Sequence, residues 1–170
     1  MDAVTIRRAT AADARAIAEV HVASWRWAYR GQLPDDLLDG LSVDEREAGW
    51  RSALEEDDAG VRVAVREEAI VGFASGMASR DDDAPADTGE VLTLYVVQDE
   101  VGKGTGRELL AAVQEDLRRR GFTRARLWVL ETNTRARAFY ERRGWTWDGT
   151  RGEHQVACAN RPIVRYVTDL

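Results

Sequence analysis

Glycines at positions 102, 104 and 106, set directly behind an apolar run, are the first residues here that could do chemistry. Residues 91–110 read V-L-T-L-Y-V-V-Q-D-E-V-G-K-G-T-G-R-E-L-L. Glycine lets backbone approach a ligand closely, and the first turn of a helix leaves its N–H groups without partners. A strand that runs into such a turn therefore aims several donors at one point. The helix dipole adds to their pull on an anion, and a pyrophosphate fits the arrangement. Two familiar phosphate motifs do not match. A Walker A loop needs Lys followed by Ser or Thr after its last glycine, and Lys103 is followed by Gly104. The dinucleotide fingerprint needs glycine where Arg107 stands. Taken alone, the turn fits a plain strand-to-helix connection as well as an anion site.

A second constellation lies downstream. Residues 127–145 read L-W-V-L-E-T-N-T-R-A-R-A-F-Y-E-R-R-G-W. A short apolar strand leads to Asn133, a helix carries Phe139 and Tyr140, and Gly144-Trp145 closes it. These two motifs, in this order and with one helix between them, resemble the GNAT superfamily of acyl-CoA-dependent N-acetyltransferases. The resemblance spans essentially the whole chain and is strongest from Glu90 to Trp145. The stretch H-V-A-S-W-R-W-A-Y-R-G-Q-L-P, residues 21–34, looks like one branch of these small bacterial enzymes.

The resemblance implies acetyl-CoA as co-substrate, an amine as acceptor, and a role for each matching residue. Leu94, Tyr95 and Val96 would offer backbone groups to the pantetheine arm, which lies beside the strand like an added strand. Backbone amides of Val101, Gly102, Lys103, Gly104, Thr105, Gly106 and Arg107 would cradle the pyrophosphate. Asn133 and Ala136 match positions that contact CoA near the second motif. Tyr140 matches the tyrosine that commonly protonates the leaving thiolate, and a backbone N–H near Tyr95 or Val96 would hold the oxyanion. Glu90 stands near a position where many members carry a carboxylate that acts through water. One departure is Val101, where the family's first motif usually begins with Gln or Arg; either CoA affinity is modestly weaker, or another group such as Lys103 or Arg107 compensates.

These residue types suit the reaction. An amine attacks a thioester only when neutral, and an alkyl ammonium of pKa near 10.4 costs about 4–5 kcal/mol to deprotonate at pH 7. A carboxylate such as Glu90 relieves that cost. A thiol ionises near 8.5 and a phenol near 10, so Tyr140 stays protonated and able to donate.

Other groups fit blander roles. His21 reads as a packed or capping histidine on the first helix. His154 sits in the polar stretch R-G-E-H-Q, read as a loop that could line the acceptor site. Trp25, Trp27 and Tyr29 flank the segment expected to cover that site, with Trp25 and Tyr29 as candidate acceptor contacts. Cys158 lacks a matched base, and two histidines without cysteine neighbours do not make a metal site.

The elements that must position these residues follow from periodicity. A strand at Val4–Arg8 precedes a helix capped by Thr10, with Asp13 in its first turn and an apolar stripe through Ile17, Val20, Ser24, Trp25 and Ala28. A short turn at Pro34 and a helix at Val43–Leu54 come next. Strands are predicted at Val61–Arg66, Ile70–Ala78, Glu90–Val97, Arg124–Leu130, Trp145–Trp147 and Ile163–Val167. Helices are predicted from the glycine turn to Arg120 and over Asn133–Arg143. The order implies an α/β (α+β) fold: a mixed, mostly antiparallel sheet of about seven strands with about four helices.

With 170 residues the chain fits one domain, 1–170, and its 44% hydrophobic content is enough for a core without staples. A net charge of −6 argues against a nucleic-acid partner. No run approaches a membrane span, and the N-terminus lacks a signal-peptide layout, so a cytoplasmic protein is expected. A homodimer is compatible with the resemblance. The acceptor stays open at this level: a small-molecule amine, a protein N-terminus or lysine, or no acceptor at all in a non-catalytic acyl-CoA-binding module.

Overall fold

The computed structural model describes residues 3–56, 60–156 and 159–170; Cys158 lies outside them. In chain order the elements are β1 (Thr5–Arg8), α1 (Ala14–Ala28), α2 (Asp35–Asp39), α3 (Val43–Glu55), β2 (Val61–Arg66), β3 (Ala69–Ala78), β4 (Thr88–Val96), α4 (Thr105–Arg119), β5 (Arg124–Leu130), α5 (Thr134–Glu141), β6 (Thr146–Val156) and β7 (Ala159–Asp169). The strands form one seven-stranded sheet in the order β1-β2-β3-β4-β5-β7-β6. Every pairing is antiparallel except β4 with β5. The most apolar strand of the sequence, β4, takes the middle position, because a strand covered on both faces must be apolar on both.

Alternation along β4 sorts the two faces. Leu94 and Val96 pack into one cluster with Leu109, Leu110 and Val113 of α4. Tyr95 and Val97 pack into another with Ile17 and Val20 of α1. The stripe Leu109-Val113-Leu117 sits hard against the sheet because the seats beneath it are glycines. A Cβ at Gly72 would meet Leu109 at 3.1 Å, one at Gly76 would meet Val113 at 2.6 Å, and one at Gly89 would meet Leu117 at 2.8 Å.

Two boundaries differ from the sequence-based expectation. The first helix opens as a 3-10 turn over Ala11–Asp13, where Asp13 accepts from the Thr10 N–H at 2.8 Å. The C-terminal strands are far longer than predicted. Strands β6 (Thr146–Val156) and β7 (Ala159–Asp169) pair antiparallel, and His154 pairs with Arg161, so His154 lies on β6 and not in a loop. The reason is exposure: β6 is an edge strand with nearly every side chain in solvent, so its sequence carries no apolar alternation to read. With the short α2 counted, the described helices number five rather than four.

Behind the sheet, His21 sits among rings. It stacks on Tyr95 (5.6 Å, 12°) and accepts a hydrogen bond from Trp50 Nε1 at its Nδ1, 3.0 Å. Burial, with Arg46 adding to it, pushes its pKa down from 6.5 to about 4. A depressed histidine contributes stability in full above pH 6.5 and loses it as pH falls toward 4. Unfolding free energy measured with denaturant should therefore drop by up to about 3 kcal/mol between pH 7 and 4.5. His21→Gln should flatten that slope. Asp13, held at about 2 first by its Arg7 hydrogen bonds, titrates below this window.

No helix among the described residues is long and apolar enough to cross a membrane.

Candidate active site

The sheet opens at its centre. β4 and β5 pair only over Thr88↔Arg124, Gly89↔Ala125 and Glu90↔Arg126. Beyond that point β5 stays with β7 to Leu130, while β4 stays with β3 to Val96. The β3–β4 register slips between Ser75 and Gly76, leaving Leu92 as an extra residue just past the fork. Such a bulge bends its strand, which steers β4 away from β5. The edge of β4 that faces the fork is thereby left unpaired. Val97 donates to Val71 on the β3 side, so by alternation the N–H and C=O of Leu94 and Val96 point into the gap.

A cleft of about 720 Å³ fills this fork and runs on to the glycine turn. From Glu90 to Val96 the strand covers about 20 Å, so the cleft has two distant ends.

The glycine end is built by the turn into α4. Gly102 and Gly104 have φ of +82° and +91°, which side chains with a Cβ adopt only at a cost. Gly106 faces the ring of Phe139, whose atoms would lie 3.5 Å from an added Cβ. The N–H groups of Val101 and Lys103 close the turn on Gln98 and Glu100. The first helical bond of α4 runs from Glu108 to Gly104 at 3.1 Å. That leaves the amides of Gly102, Gly104, Thr105, Gly106 and Arg107 without partners among the described residues. Arginines surround this end. Arg107, Arg135, Arg142 and Arg143 all line the cleft, in a chain of net charge −6. Burial, and then the charges of Arg142 and Arg107, press the Arg143 guanidinium below its usual pKa. Lys103 does not reach the cleft wall; its ammonium lies 3.5 Å from Glu100. Of the two groups expected to compensate for Val101, only Arg107 is in position.

α5 supplies the opposite wall. Asn133 caps it, accepting the Ala136 N–H at 3.2 Å. Tyr140 is 9% exposed, packed edge-on to Phe139 and Trp145, and lines the cleft. Its hydroxyl makes no hydrogen bond to a described residue and opens on the cleft. Burial, and secondarily Tyr95, push its pKa well above that of an ordinary phenol. Tyr95 and Tyr29 face each other with hydroxyls 3.4 Å apart.

At the far end stands Glu90, 5% exposed. Its Oε2 accepts the Arg80 N–H at 3.1 Å, and the Arg80 guanidinium is 3.9 Å away. Burial raises its pKa and Asp81 adds to that, while the Arg80 contacts and Arg126 oppose it. Trp25, Tyr29, Trp128 and His154 also line the cleft, with Trp25 and Tyr29 against Tyr95.

Residues from the sequence-based set thus converge on one cleft, apart from Lys103 and Thr105, which stand behind the turn. Sequence reasoning passed over Arg135 and Arg142. They share a helical face with Phe139 at three- and four-residue steps, a signal that was legible. It set Trp25, Tyr29 and Trp27 beside the acceptor site and gave Trp27 no link to the central strand. Its Nε1 donates to the Val96 carbonyl at 3.3 Å, and Arg135 lies 4.1 Å over its ring.

The model of the acetyltransferase (GNAT) family matches residues 16–145. The chain belongs to that family. The uncharacterized N-acetyltransferase YuaI of Bacillus subtilis (strain 168) is 38% identical over 102 residues, 59% of this chain and 57% of that protein. The match thus spans a little over half the length of this curated relative. Among solved structures, PaiA N-acetyltransferase from Thermoplasma acidophilum, in complex with coenzyme A, superposes with a TM-score of 0.76 at 21% identity, over 96% of this chain and 98% of that one. The yncA structure from Salmonella typhimurium, with its cofactor acetyl-CoA, gives 0.74 at 22% identity, over 99% and 94%. At these identities the two structures speak to the GNAT fold alone.

Proposed function

We propose that this GNAT chain transfers an acetyl group from acetyl-CoA to the primary amine of a small molecule, by direct attack while both are bound. The observation that carries the reading is the continuity of the cleft. It leads from five free amides ringed by arginines, along the unpaired edge of β4, to a buried carboxylate, with an unpartnered phenol in its wall. The diphosphate takes the amides from Gly102 to Arg107. The amide-bearing arm of the co-substrate pairs with Leu94 and Val96, taking the carbonyl that Trp27 now holds. Glu90 accepts a proton from the ammonium, directly or through water. The neutral nitrogen attacks the thioester carbon, a main-chain N–H on the unpaired edge of β4 holds the oxygen rather than that of Tyr95, which faces β3, and the C–S bond breaks as Tyr140 gives its proton to sulfur. The reading places the reaction in the cytoplasm.

Two measurements test it. Acetyl-CoA at about a hundredfold excess over its Kd should raise Tm by about 5 °C or more, since it binds only the native state. Thiol release from acetyl-CoA should then appear with members of a panel of small amines. No shift at millimolar acetyl-CoA removes the co-substrate; turnover with peptides alone removes the small-molecule acceptor.

A further inference from the structure

Behind the glycine turn lies a buried carboxylate that the proposed chemistry does not use. Glu100 is 4% exposed and both of its oxygens are taken. Oε1 accepts from Arg66 Nε at 3.0 Å and lies 3.5 Å from Lys103 Nζ. Oε2 accepts from Arg66 Nη2 at 3.1 Å and from Thr105 Oγ1 at 2.5 Å. Each partner belongs to a different part of the fold. Arg66 ends β2, deep in the antiparallel half of the sheet. Thr105 is the first residue of α4, with nothing exposed. Lys103 stands between the two glycines of positive φ.

We propose that Glu100 is a positioning residue for the diphosphate-binding turn: it ties the first residue of α4 to the sheet and so aims the free amides before the ligand arrives. The inference rests on the acetyl-CoA reading above. A turn that pivots on two glycines is loose unless something holds it, and ordering it on binding would cost affinity. Thr105 stands behind the turn between Gly104 and Gly106, which line the cleft, so fixing its hydroxyl fixes the free N–H groups on either side of it. Val101 offers no polar side chain to do this from the ligand side. Burial alone would raise the Glu100 carboxyl, but Arg66, Thr105 and Lys103 outweigh it and keep it below its ordinary pKa, hence ionised.

A competing effect has the opposite sign. A carboxylate near a diphosphate repels it, and deleting that charge would free Arg66 and Lys103 to attract the ligand. The two effects separate by substitution, with acetyl-CoA Kd read by calorimetry and kcat read at saturating acetyl-CoA. Glu100→Ala removes tether and charge together; Kd should rise on the order of tenfold with kcat kept. Glu100→Gln keeps the tether, because its amide can donate to the Thr105 hydroxyl while its oxygen accepts from Arg66. Kd should then stay within about threefold of the parent. Thr105→Val is close to isosteric, leaves the Glu100–Arg66 pair intact, and should raise Kd about threefold or more even if Glu100→Ala does not fold. Unchanged Kd in both Glu100→Ala and Thr105→Val overturns the proposal, as does tighter binding in Glu100→Ala and Glu100→Gln. If the parent itself does not bind acetyl-CoA, the co-substrate reading fails first and takes this one with it, a result the variants alone could not produce.

Discussion

Tyr140→Phe is expected to lower kcat by roughly 10²- to 10⁴-fold while leaving acetyl-CoA Kd within about twofold. The substitution deletes one oxygen and keeps the ring, so the contacts with Phe139, Trp145 and Tyr166 survive. No described group is orphaned, because the hydroxyl opens on the cleft and has no partner among the described residues to lose. Stability should therefore hold, and any loss of rate belongs to chemistry. The raised pKa has two consequences. It keeps the phenol protonated at every working pH, and it makes the phenol a reluctant acid. The same dry surroundings make a forming thiolate more basic, so proton transfer becomes favourable only as the C–S bond breaks. That is a transition-state contribution, which lowers kcat and kcat/KM together when removed. Steady-state thiol release alongside calorimetry checks it; a parent-like kcat would take Tyr140 out of the mechanism.

Glu90→Gln should show a comparable loss at pH 7, with a distinctive dependence on pH. The base form of Glu90 is needed, so parental activity should fall as pH drops through a pKa that burial holds above the ordinary carboxylate value. In the variant that acid limb should be absent. Gln fills the same volume and can still accept the Arg80 N–H, so the site should keep its shape. What it cannot do is take a proton from an ammonium, a step worth about 4–5 kcal/mol at pH 7 for an amine of pKa near 10.4. As pH rises the amine ionises less, the need for a base fades, and the two profiles should converge near pH 10. A variant that retains the parental acid limb would assign that limb to another group. Tyr29 and Tyr95 do not qualify, because burial raises both phenols.

The two effects are separable because the residues come from different sides of the fork. Glu90 arrives on β4 at its last pairing with β5, and Tyr140 arrives on α5, which follows β5. Their meeting in one cleft depends on the strands parting, and the parting depends on the slip at Leu92. Nothing in the residues around Leu92 announces a bulge. The sequence there is simply apolar, and register is a property of the partner strand as much as of the strand itself.

Much else was legible from residues alone. The glycine spacing located the tight turn into α4, since only glycine tolerates φ near +90° at position 104. Apolar periodicity located the central strand and α4, because a buried face requires it whatever the neighbours are. The second motif located Asn133 and Tyr140. By contrast, β6 was misread because an edge strand in solvent has no apolar alternation. The burial of Glu90 was also hidden, since a charge reads as surface until packing shows otherwise. Glu100 was invisible for the same reason: its partners, Arg66 and Thr105, lie 34 residues before it and five after. Local constraints, on dihedrals and on burying one face, are written in neighbouring residues and can be read from them. Long-range ones, on register, on which charges share a dry pocket and on what ties a turn in place, arise only when distant segments meet.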